Sequence, residues 1–227
     1  MILQEIINLF YPKTCLHCRN HLNKHEDFLC MHCLADLPFT DFTNWENNPM
    51  EKTFTGRIPV VESTALLFFR KKGITQHLIH LLKYKGEESV GKFMGDMLGK
   101  TMKESTRFKS LDGIIVVPLH PKKQKERGYN QLSLFAETLS KYLNIPVIDD
   151  VLIKVKTSET QTLKDRLNRF EKLNEKFKMI NPEHITGKHL LLVDDVITTG
   201  ATLEACAIEL LKADKTKISI ATMAVPE

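Results

Sequence analysis

The amino-acid sequence predicts an α/β fold, in which helices flank a parallel sheet and a small four-cysteine unit precedes it. Three observations lead to this prediction. Short apolar runs alternate with amphipathic helical stretches from about residue 60 onward. Four of the five cysteines form two C-x2-C pairs near the N-terminus. Two adjacent aspartates follow an apolar run and lead into a Thr-Thr-Gly turn within 190–202.

The composition is typical of a soluble globular protein. The chain has 227 residues, of which 42% are hydrophobic and 26% are charged, and this length suits one full domain with a small appendage. Every apolar run is shorter than the roughly 18 residues of a membrane span, so we expect no membrane insertion and a cytoplasmic location. The formal net charge of +4 does not by itself indicate nucleic-acid binding.

The four grouped cysteines form a candidate metal site. Cys15 and Cys18 are followed, after eleven residues, by Cys30 and Cys33, which is a usual arrangement for four thiolates around Zn²⁺. Two disulfides are the alternative, and the expected location disfavours them. Because four protein ligands leave no open position, we predict that the zinc is structural.

Two units are predicted along the chain. Residues 1–50 contain an N-terminal helix and the zinc-binding module, and residues 55–227 form the α/β domain. The opening MILQEIINLF has apolar residues at helical spacing but no basic start, which indicates a short amphipathic helix and not a secretory signal. We expect this helix to pack on the domain, and membrane contact is the less favoured alternative.

The elements of the domain follow from hydrophobic periodicity. Strands are predicted at 60–69, 113–119, 147–153, 190–193 and 217–225, and helices at 74–84, 89–105, 130–144 and 199–213. Alternating strands and helices predict βαβ units and a parallel sheet with helices on both faces. The polar segment 154–188 has no strong period, which is typical of a mobile functional loop or of disorder. Cys206, in the last helix, is predicted to be a buried and inert thiol.

The segment 194–202, which we call the acidic loop, is the strongest functional signal. Ligands bind at the carboxyl ends of parallel strands, and the run 190–193 brings Asp194 and Asp195 to that edge. The helix start that follows has threonines and Gly200, and such a helix N-terminus binds phosphate. Carboxylates beside a phosphate cradle suit a sugar phosphate, which Mg²⁺ can accompany. Aspartates that only cap a helix are the disfavoured alternative.

The stretch LLLVDDVITTGAT at 190–202 resembles the phosphoribosyl-pyrophosphate (PRPP) loop of type I phosphoribosyltransferases. The resemblance implies a type I phosphoribosyltransferase-like fold, in which the two aspartates hold the ribose hydroxyls and the threonines grip the 5′-phosphate. The implied PRPP-binding residues are Asp194, Asp195, Val196, Ile197, Thr198, Thr199, Gly200, Ala201 and Thr202. Purine-salvage members have an aspartate at the position of Thr198, so the resemblance argues against that substrate class.

Other segments indicate which group of phosphoribosyltransferase-like proteins the chain resembles. The cysteine pairs, KYKGE at 83–87, VVPLHPKKQKERGYNQ at 116–131 and TQTLKDRLNRFEKLNEKF at 160–177 occur in this order. Together they resemble the ComF/ComFC competence proteins and the related GntX proteins over nearly the whole chain. The resemblance implies a role in competence and DNA uptake, and it suggests single-stranded DNA and competence proteins as partners.

The same resemblance implies further site residues. A pyrophosphate loop follows the strand at 113–119, where basic groups would bind pyrophosphate. Its predicted members are Leu119, His120, Pro121, Lys122 and Arg127, and those of a mobile active-site loop are Gln161, Arg166 and Asn168. Lys83 and Lys85 precede Gly86, and they either neutralise a helix end or bind a ligand.

The predicted function is a Mg²⁺-dependent transfer of phosphoribose from PRPP to an acceptor that the sequence does not identify. No catalytic residue is assigned, because no carboxylate or histidine stands in a recognisable position for a general base. Two alternatives stay open. The protein can be a non-catalytic sensor of PRPP or a nucleotide, or it can bind DNA through the zinc module and the basic stretches 122–127 and 154–178.

Overall fold

The computed structural model describes residues 13–119, 130–155 and 177–227 of the chain. The predicted N-terminal helix at 1–10 lies outside these ranges. So do the pyrophosphate-loop residues His120, Pro121, Lys122 and Arg127, and the mobile-loop residues Gln161, Arg166 and Asn168. The predictions made for these segments therefore stay predictions.

Helices and strands alternate through the described part of the chain. The helices are α1 (Met31–Ala35), α2 (Pro49–Phe54), α3 (Ile74–Tyr84), α4 (Ser89–Glu104), α5 (Ser133–Leu143) and α6 (Ala201–Leu210). The strands are β1 (Val60–Phe69), β2 (Gly113–Val116), β3 (Leu152–Lys154), β4 (Phe177–Met179), β5 (His189–Val196) and β6 (Lys217–Pro226). Two short 3-10 turns lie at Phe42–Asn44 and Pro182–His184.

Four strands form a parallel sheet in the order β1-β6-β5-β2. Strand β6 pairs with β1 on one side and β5 on the other, and β2 pairs with the first half of β5. Residues 190–193 of β5 are fully buried, as expected for a central parallel strand that is covered on both faces. The predicted parallel sheet flanked by helices is confirmed.

The predicted strand at 147–153 is wrong as a single element. Val147 forms an isolated parallel bridge with Ile114, whereas β3 pairs antiparallel with β4 in a separate two-stranded sheet. The exposed Asp149 and Asp150 lie between the two parts, and charged residues of this kind disfavour a buried strand. The segment 154–188 is likewise not a continuous loop, because β4 and the turn at Pro182–His184 lie within it.

Most other boundaries follow the prediction. Strand β1 and helix α3 have the predicted limits, while α5 and α6 are shorter at both ends than predicted. Helix α3 ends at a C-cap, Lys85, that precedes Gly86 in the left-handed conformation with φ of 70°, as predicted. Cys206 is fully buried in α6, and burial raises the pKa of its thiol. No helix in the described ranges is long and apolar enough to span a bilayer.

The four-cysteine module packs directly on the helices of the domain. His77 of α3 donates a hydrogen bond from Nε2 to the backbone carbonyl of Leu16 at 3.1 Å. The rings of Phe28 and Phe93, the latter in α4, have centroids 5.6 Å apart. Buried residues of the module belong to the same hydrophobic cluster as those of the sheet. The division of the chain at 50–55 stays a prediction.

Arg107, which follows α4, ties the segment around α2 to the sheet. Its side chain is 8% exposed and forms ion pairs with Glu51 of α2 and Glu62 of β1. It also donates hydrogen bonds to the backbone carbonyls of Phe42 at 3.1 Å and Trp45 at 2.8 Å. Because the network is buried, removing the arginine would leave two carboxylates without their cation.

Candidate functional site

The acidic loop lies at the carboxyl end of the central strand β5, as predicted. The strand extends to Val196, so both aspartates belong to its last residues and do not follow it. The backbone N–H of Ile197 still donates to the carbonyl of Ala224 in β6 at 3.1 Å. Residues 198–200 then leave the sheet and turn into α6.

Asp195 is held by side chains from two other elements. Lys83 of α3 donates from Nζ to Oδ1 of Asp195 at 2.8 Å, and Gln131, just before α5, donates from Nε2 to Oδ2 at 2.9 Å. The side chain of Asp195 is only 9% exposed. Both carboxylate oxygens therefore have donors within the protein, and Asp195 joins α3 and α5 to the end of β5.

Asp194 has different surroundings, because successive strand residues point to opposite faces of the sheet. It lines a cavity together with the acidic-loop residues 196–202, and its Oδ1 accepts the backbone N–H of Asp195 at 2.8 Å. Burial and, next in size, the charge of Asp195 raise the pKa of Asp194 to about 7, although the backbone N–H of Asp195 and the charges of Lys83 and Lys154 lower it in part. A carboxyl group with such a strongly perturbed pKa is a candidate functional group.

The start of α6 offers backbone donors to an anion. Gly200, the N-cap, has φ of 77° in the left-handed region and no side chain that can cap the helix. The hydroxyl of Thr199 reaches the N–H of Ala201 only at 3.4 Å. The first N–H groups of a helix need partners from outside it, and phosphate is a common one. Thr198 and Thr199 are exposed and add hydroxyl donors.

A second cavity adjoins this edge of the sheet. It has a volume of about 430 Å³ and is lined by residues that follow β2, including Leu119, and by Asn130 and Lys154. Small-molecule sites in proteins have volumes of roughly 300–1,000 Å³. Of the predicted pyrophosphate-loop residues, Leu119 is the one that lies within the described ranges, and it lines this cavity.

Several residues of the site were not predicted from the sequence. The sequence leaves two roles open for Lys83, at a helix end or as a ligand-binding group, and the structure pairs it with Asp195. Gln131 is the last residue of the VVPLHPKKQKERGYNQ segment at 116–131, and that motif is the one sequence signal for it. No sequence motif singles out Lys154 or Arg57 as a residue of this site. In the structure, Arg57 donates to the carbonyl of Thr199 at 2.9 Å.

The four cysteines of the module come together as predicted. The Sγ atoms of Cys15, Cys18, Cys30 and Cys33 all lie within 4.8 Å of one another, and those of Cys18 and Cys30 are 3.6 Å apart. Tetrahedral zinc with Zn–S bonds of about 2.3 Å places its sulfurs about 3.8 Å apart, whereas a disulfide needs about 2.05 Å. The donor set therefore fits a structural zinc ion.

Comparison with known proteins agrees with this arrangement. The family model described as "Phosphoribosyl transferase domain" matches residues 133–225, which contain the acidic loop. Competence protein F of Haemophilus influenzae is 27% identical over 207 residues, which cover 86% of this chain and 89% of that protein. Competence protein ComFC of Bacillus subtilis is 33% identical over 102 residues, or 45% of this chain and 39% of that protein. The resemblance to the ComF/ComFC competence proteins is confirmed.

Two further matches cover a smaller part of this chain than Competence protein F does. DNA utilization protein YhgH of Escherichia coli K12 is 29% identical over 138 residues, and the chain spans 60% of that protein's length. Glutamine PRPP amidotransferase from B. subtilis is 21% identical with a TM-score of 0.43, and the match covers 60% of this chain and 26% of that one.

Proposed function

We propose that this protein binds PRPP at the acidic loop and, with Mg²⁺, transfers phosphoribose to an acceptor. The observation that carries the proposal is one cavity shared by Asp194 and the start of α6 at the carboxyl end of β5. A carboxylate accepts hydrogen bonds from ribose hydroxyls, and the helix N-terminus suits the 5′-phosphate. The match to the phosphoribosyl transferase domain supports the same chemistry.

The two aspartates have different roles under this proposal. Asp194 accepts the ribose hydroxyls, because it faces the cavity. Asp195 is already bonded to Lys83 and Gln131, so it orients the end of the strand. Lys83 and Lys154, both near Asp194, offset the negative charge that PRPP brings. When bound with PRPP, Mg²⁺ supplies charge neutralisation for the departing pyrophosphate.

A calorimetric titration tests the binding step. Wild-type protein should bind PRPP in the presence of Mg²⁺, and Asp194→Asn should weaken this binding at least about tenfold, as expected when a hydrogen bond to a charged group is lost. Asp36→Asn, the same substitution at an exposed position of the module, should leave it unchanged. Wild-type protein that does not bind PRPP, or equal binding by Asp194→Asn, would contradict the proposal.

The acceptor distinguishes an enzyme from a sensor. Pyrophosphate release should be measured in the presence of PRPP, Mg²⁺ and a panel of nucleobases and amines. Release that depends on one acceptor identifies a transferase. Binding of PRPP without release for any acceptor favours the non-catalytic sensor.

We also propose that the four cysteines hold a structural zinc ion and that the protein acts in competence. Metal analysis of purified protein should find about one zinc per chain, and Cys30→Ser should lose it. The names of the relatives from H. influenzae and B. subtilis refer to competence. A deletion strain should therefore be tested for transformation and complemented with Asp194→Asn, which should fail to restore it.

A nucleic-acid-binding role is the second candidate, and a stripe of rings favours it. His77, His80 and Tyr84 lie along one side of α3. The ring of His17 in the module lies 5.2 Å from that of His77, and His80 lies 5.1 Å from Tyr84. Tyr84 is 67% exposed, and Lys85 beside it is exposed as well. Aromatic rings with flanking cations bind single-stranded nucleic acid by stacking.

Fluorescence anisotropy with a labelled single-stranded oligonucleotide tests this candidate. Binding should fall steeply with salt, and Tyr84→Ala should weaken it by roughly 1–3 kcal/mol, the contribution of one stacked base. Binding that is insensitive to Tyr84→Ala would remove the stripe as the interface. An effect of Asp194→Asn on oligonucleotide binding would instead place the nucleic acid at the acidic loop.

A further inference from the structure

Helix α2 is firmly attached to the sheet. Asn48 is fully buried and caps α2, because its side chain accepts the N–H groups of Met50 at 3.0 Å and Glu51 at 3.1 Å. Its side-chain amide also donates to the carbonyl of Ser63 in β1 at 2.8 Å. One buried side chain thus fixes both the start of α2 and its position on β1.

The other end of α2 lies against the acidic loop. A Cβ atom built on Gly200 would lie 3.1 Å from Cε1 of Phe54 and 3.4 Å from Cγ2 of Thr53. Gly200 also has a positive φ, which strains any other residue. Phe54 is 1% exposed. The loop therefore rests directly on a fixed helix, and even a Cβ atom at Gly200 would require Phe54 to shift by a few tenths of an ångström.

Arg57, in the turn after α2, connects three elements. Its Nη1 donates to the carbonyl of Thr199 in the acidic loop at 2.9 Å and to that of Thr53 in α2 at 3.1 Å. Its Nη2 forms an ion pair with Glu204 in the first turn of α6. Because the guanidinium is a rigid planar fork, these contacts define the distance between α2, the loop and α6.

The contact with Thr199 sets the direction of a backbone donor. The peptide bond between Thr199 and Gly200 is trans, so its carbonyl and its N–H point in opposite directions. Since Arg57 holds the carbonyl on the side of α2, the N–H of Gly200 points away from α2. That is the side from which an anion can approach the loop, because α2 covers the other.

The ion pair with Glu204 removes an unfavourable charge. A carboxylate in the first turn of a helix favours the helix itself but repels a phosphate at the same terminus. The side chains of Arg57 and Glu204 are 32% and 26% exposed, so solvent screens this repulsion only in part. Arg57 offsets it directly.

We infer that Arg57 is a positioning residue of the phosphate site, which orients the peptide between Thr199 and Gly200 and neutralises Glu204. This inference rests on the proposed function of the acidic loop. Under this inference, a residue in the turn after α2, which precedes the sheet in the sequence, supports a phosphate site that lies 142 residues further along the chain.

Titration with ribose 5-phosphate and with PRPP, by calorimetry, tests the inference. Arg57→Ala should lower the affinity for ribose 5-phosphate about tenfold, as for loss of a charge-assisted hydrogen bond. Adding Glu204→Gln to that variant should raise the affinity for ribose 5-phosphate again by about threefold, because the carboxylate that Arg57 no longer neutralises is then removed. Arg57→Lys should be intermediate, since one ammonium group lacks the fork. Arg70→Ala, which breaks an exposed ion pair with Glu227, is the control and should bind normally.

The outcomes separate positioning from general stability. A purely structural role for Arg57 would lower the melting temperature without rescue of affinity by Glu204→Gln. Equal affinity of wild type and Arg57→Ala overturns the inference and leaves the proposed function intact. Wild-type protein that binds neither ligand overturns both. If Arg57→Ala does not fold, Glu204→Gln alone decides, because it should raise the affinity for ribose 5-phosphate, and an unchanged or lower affinity would overturn the inference.

Discussion

Asp194→Asn should stabilise the protein while it removes the proposed ligand site. Burial, and then the charge of Asp195, raise the pKa of Asp194 to about 7. The ionised carboxylate is therefore unfavourable in the folded protein. Asparagine has nearly the same shape and carries no charge, so it removes this cost and keeps the packing.

The magnitude follows from the pKa of Asp194 in the two states. An aspartate in an unfolded chain has a pKa of about 3.9, and in the folded protein it is about 7, a difference of about 3 pH units. Because the folded state binds this proton more tightly, the free energy of unfolding falls as the pH rises from about 4 to about 7. At about 1.4 kcal/mol per pH unit the limit is about 4 kcal/mol, and partial exposure reduces it to about 2–4 kcal/mol.

Thermal and urea unfolding between pH 4.5 and pH 8, without PRPP or Mg²⁺, measure the effect. At pH 8 the Asp194→Asn protein should melt roughly 5–10 °C higher than wild type. At pH 4.5 the difference in the free energy of unfolding should fall to about 1 kcal/mol or less, because Asp194 is then protonated in the folded wild type, although it is still mostly ionised in the unfolded chain. The adjacent Asp195→Asn is the matched control. It should destabilise the protein by about 1–3 kcal/mol, because Lys83 loses its anionic partner.

Two results would refute the reasoning. A variant Asp194→Asn that is less stable than wild type at pH 8 would show that the carboxylate is favourable in the fold. A stabilisation that does not change with pH would show that the proton is not its cause. If the prediction holds and PRPP binding is lost together with the gain in stability, Asp194 is a residue retained for function at the expense of stability.

Three other predictions follow from described contacts. Arg107→Met should lower the free energy of unfolding by about 3–5 kcal/mol, whereas Arg70→Met, at an exposed ion pair, should lower it by less than about 1 kcal/mol. Urea unfolding compares the two, and equal effects would contradict the buried network. Gly200→Ala should cost about 1–3 kcal/mol through its positive φ and weaken ribose 5-phosphate binding in calorimetry, because Phe54 displaces the loop. Chelation of the metal should lower the melting temperature by several degrees in a fluorescence melt, and added Zn²⁺ should restore it.

The elements that were predicted well have a strong local pattern. Strand β1 and helix α3 were predicted with their observed limits, because hydrophobic periodicity within about 10 residues is enough to distinguish a strand from a helix. The cysteine cluster is also predicted from a local pattern, because its four ligands are close together in the sequence and tetrahedral zinc fixes how they are arranged. The confirmed position of the acidic loop follows from its place after a buried apolar run.

The element that was predicted wrongly depends on pairing. The run 147–153 has strand-like residues, but its two ends pair with different partners, Val147 with β2 and β3 with β4. Strand propensity describes how a residue fits a half-buried surface and not which strand lies next to it. Similarly, β4 is too short to show a period within a polar segment.

Short-range patterns in the amino-acid sequence are enough to predict the alternation of strands and helices, the four-cysteine set and the place of two aspartates at a strand end. Long-range packing determines that Asp195 is bonded to Lys83 and Gln131 while Asp194 lines the loop cavity. It also places Arg57 where it donates to the carbonyl of Thr199. These hydrogen bonds join residues 64 to 142 positions apart. Such contacts depend on how the helices pack on the sheet, since a side chain can bond only to groups that packing brings within its reach.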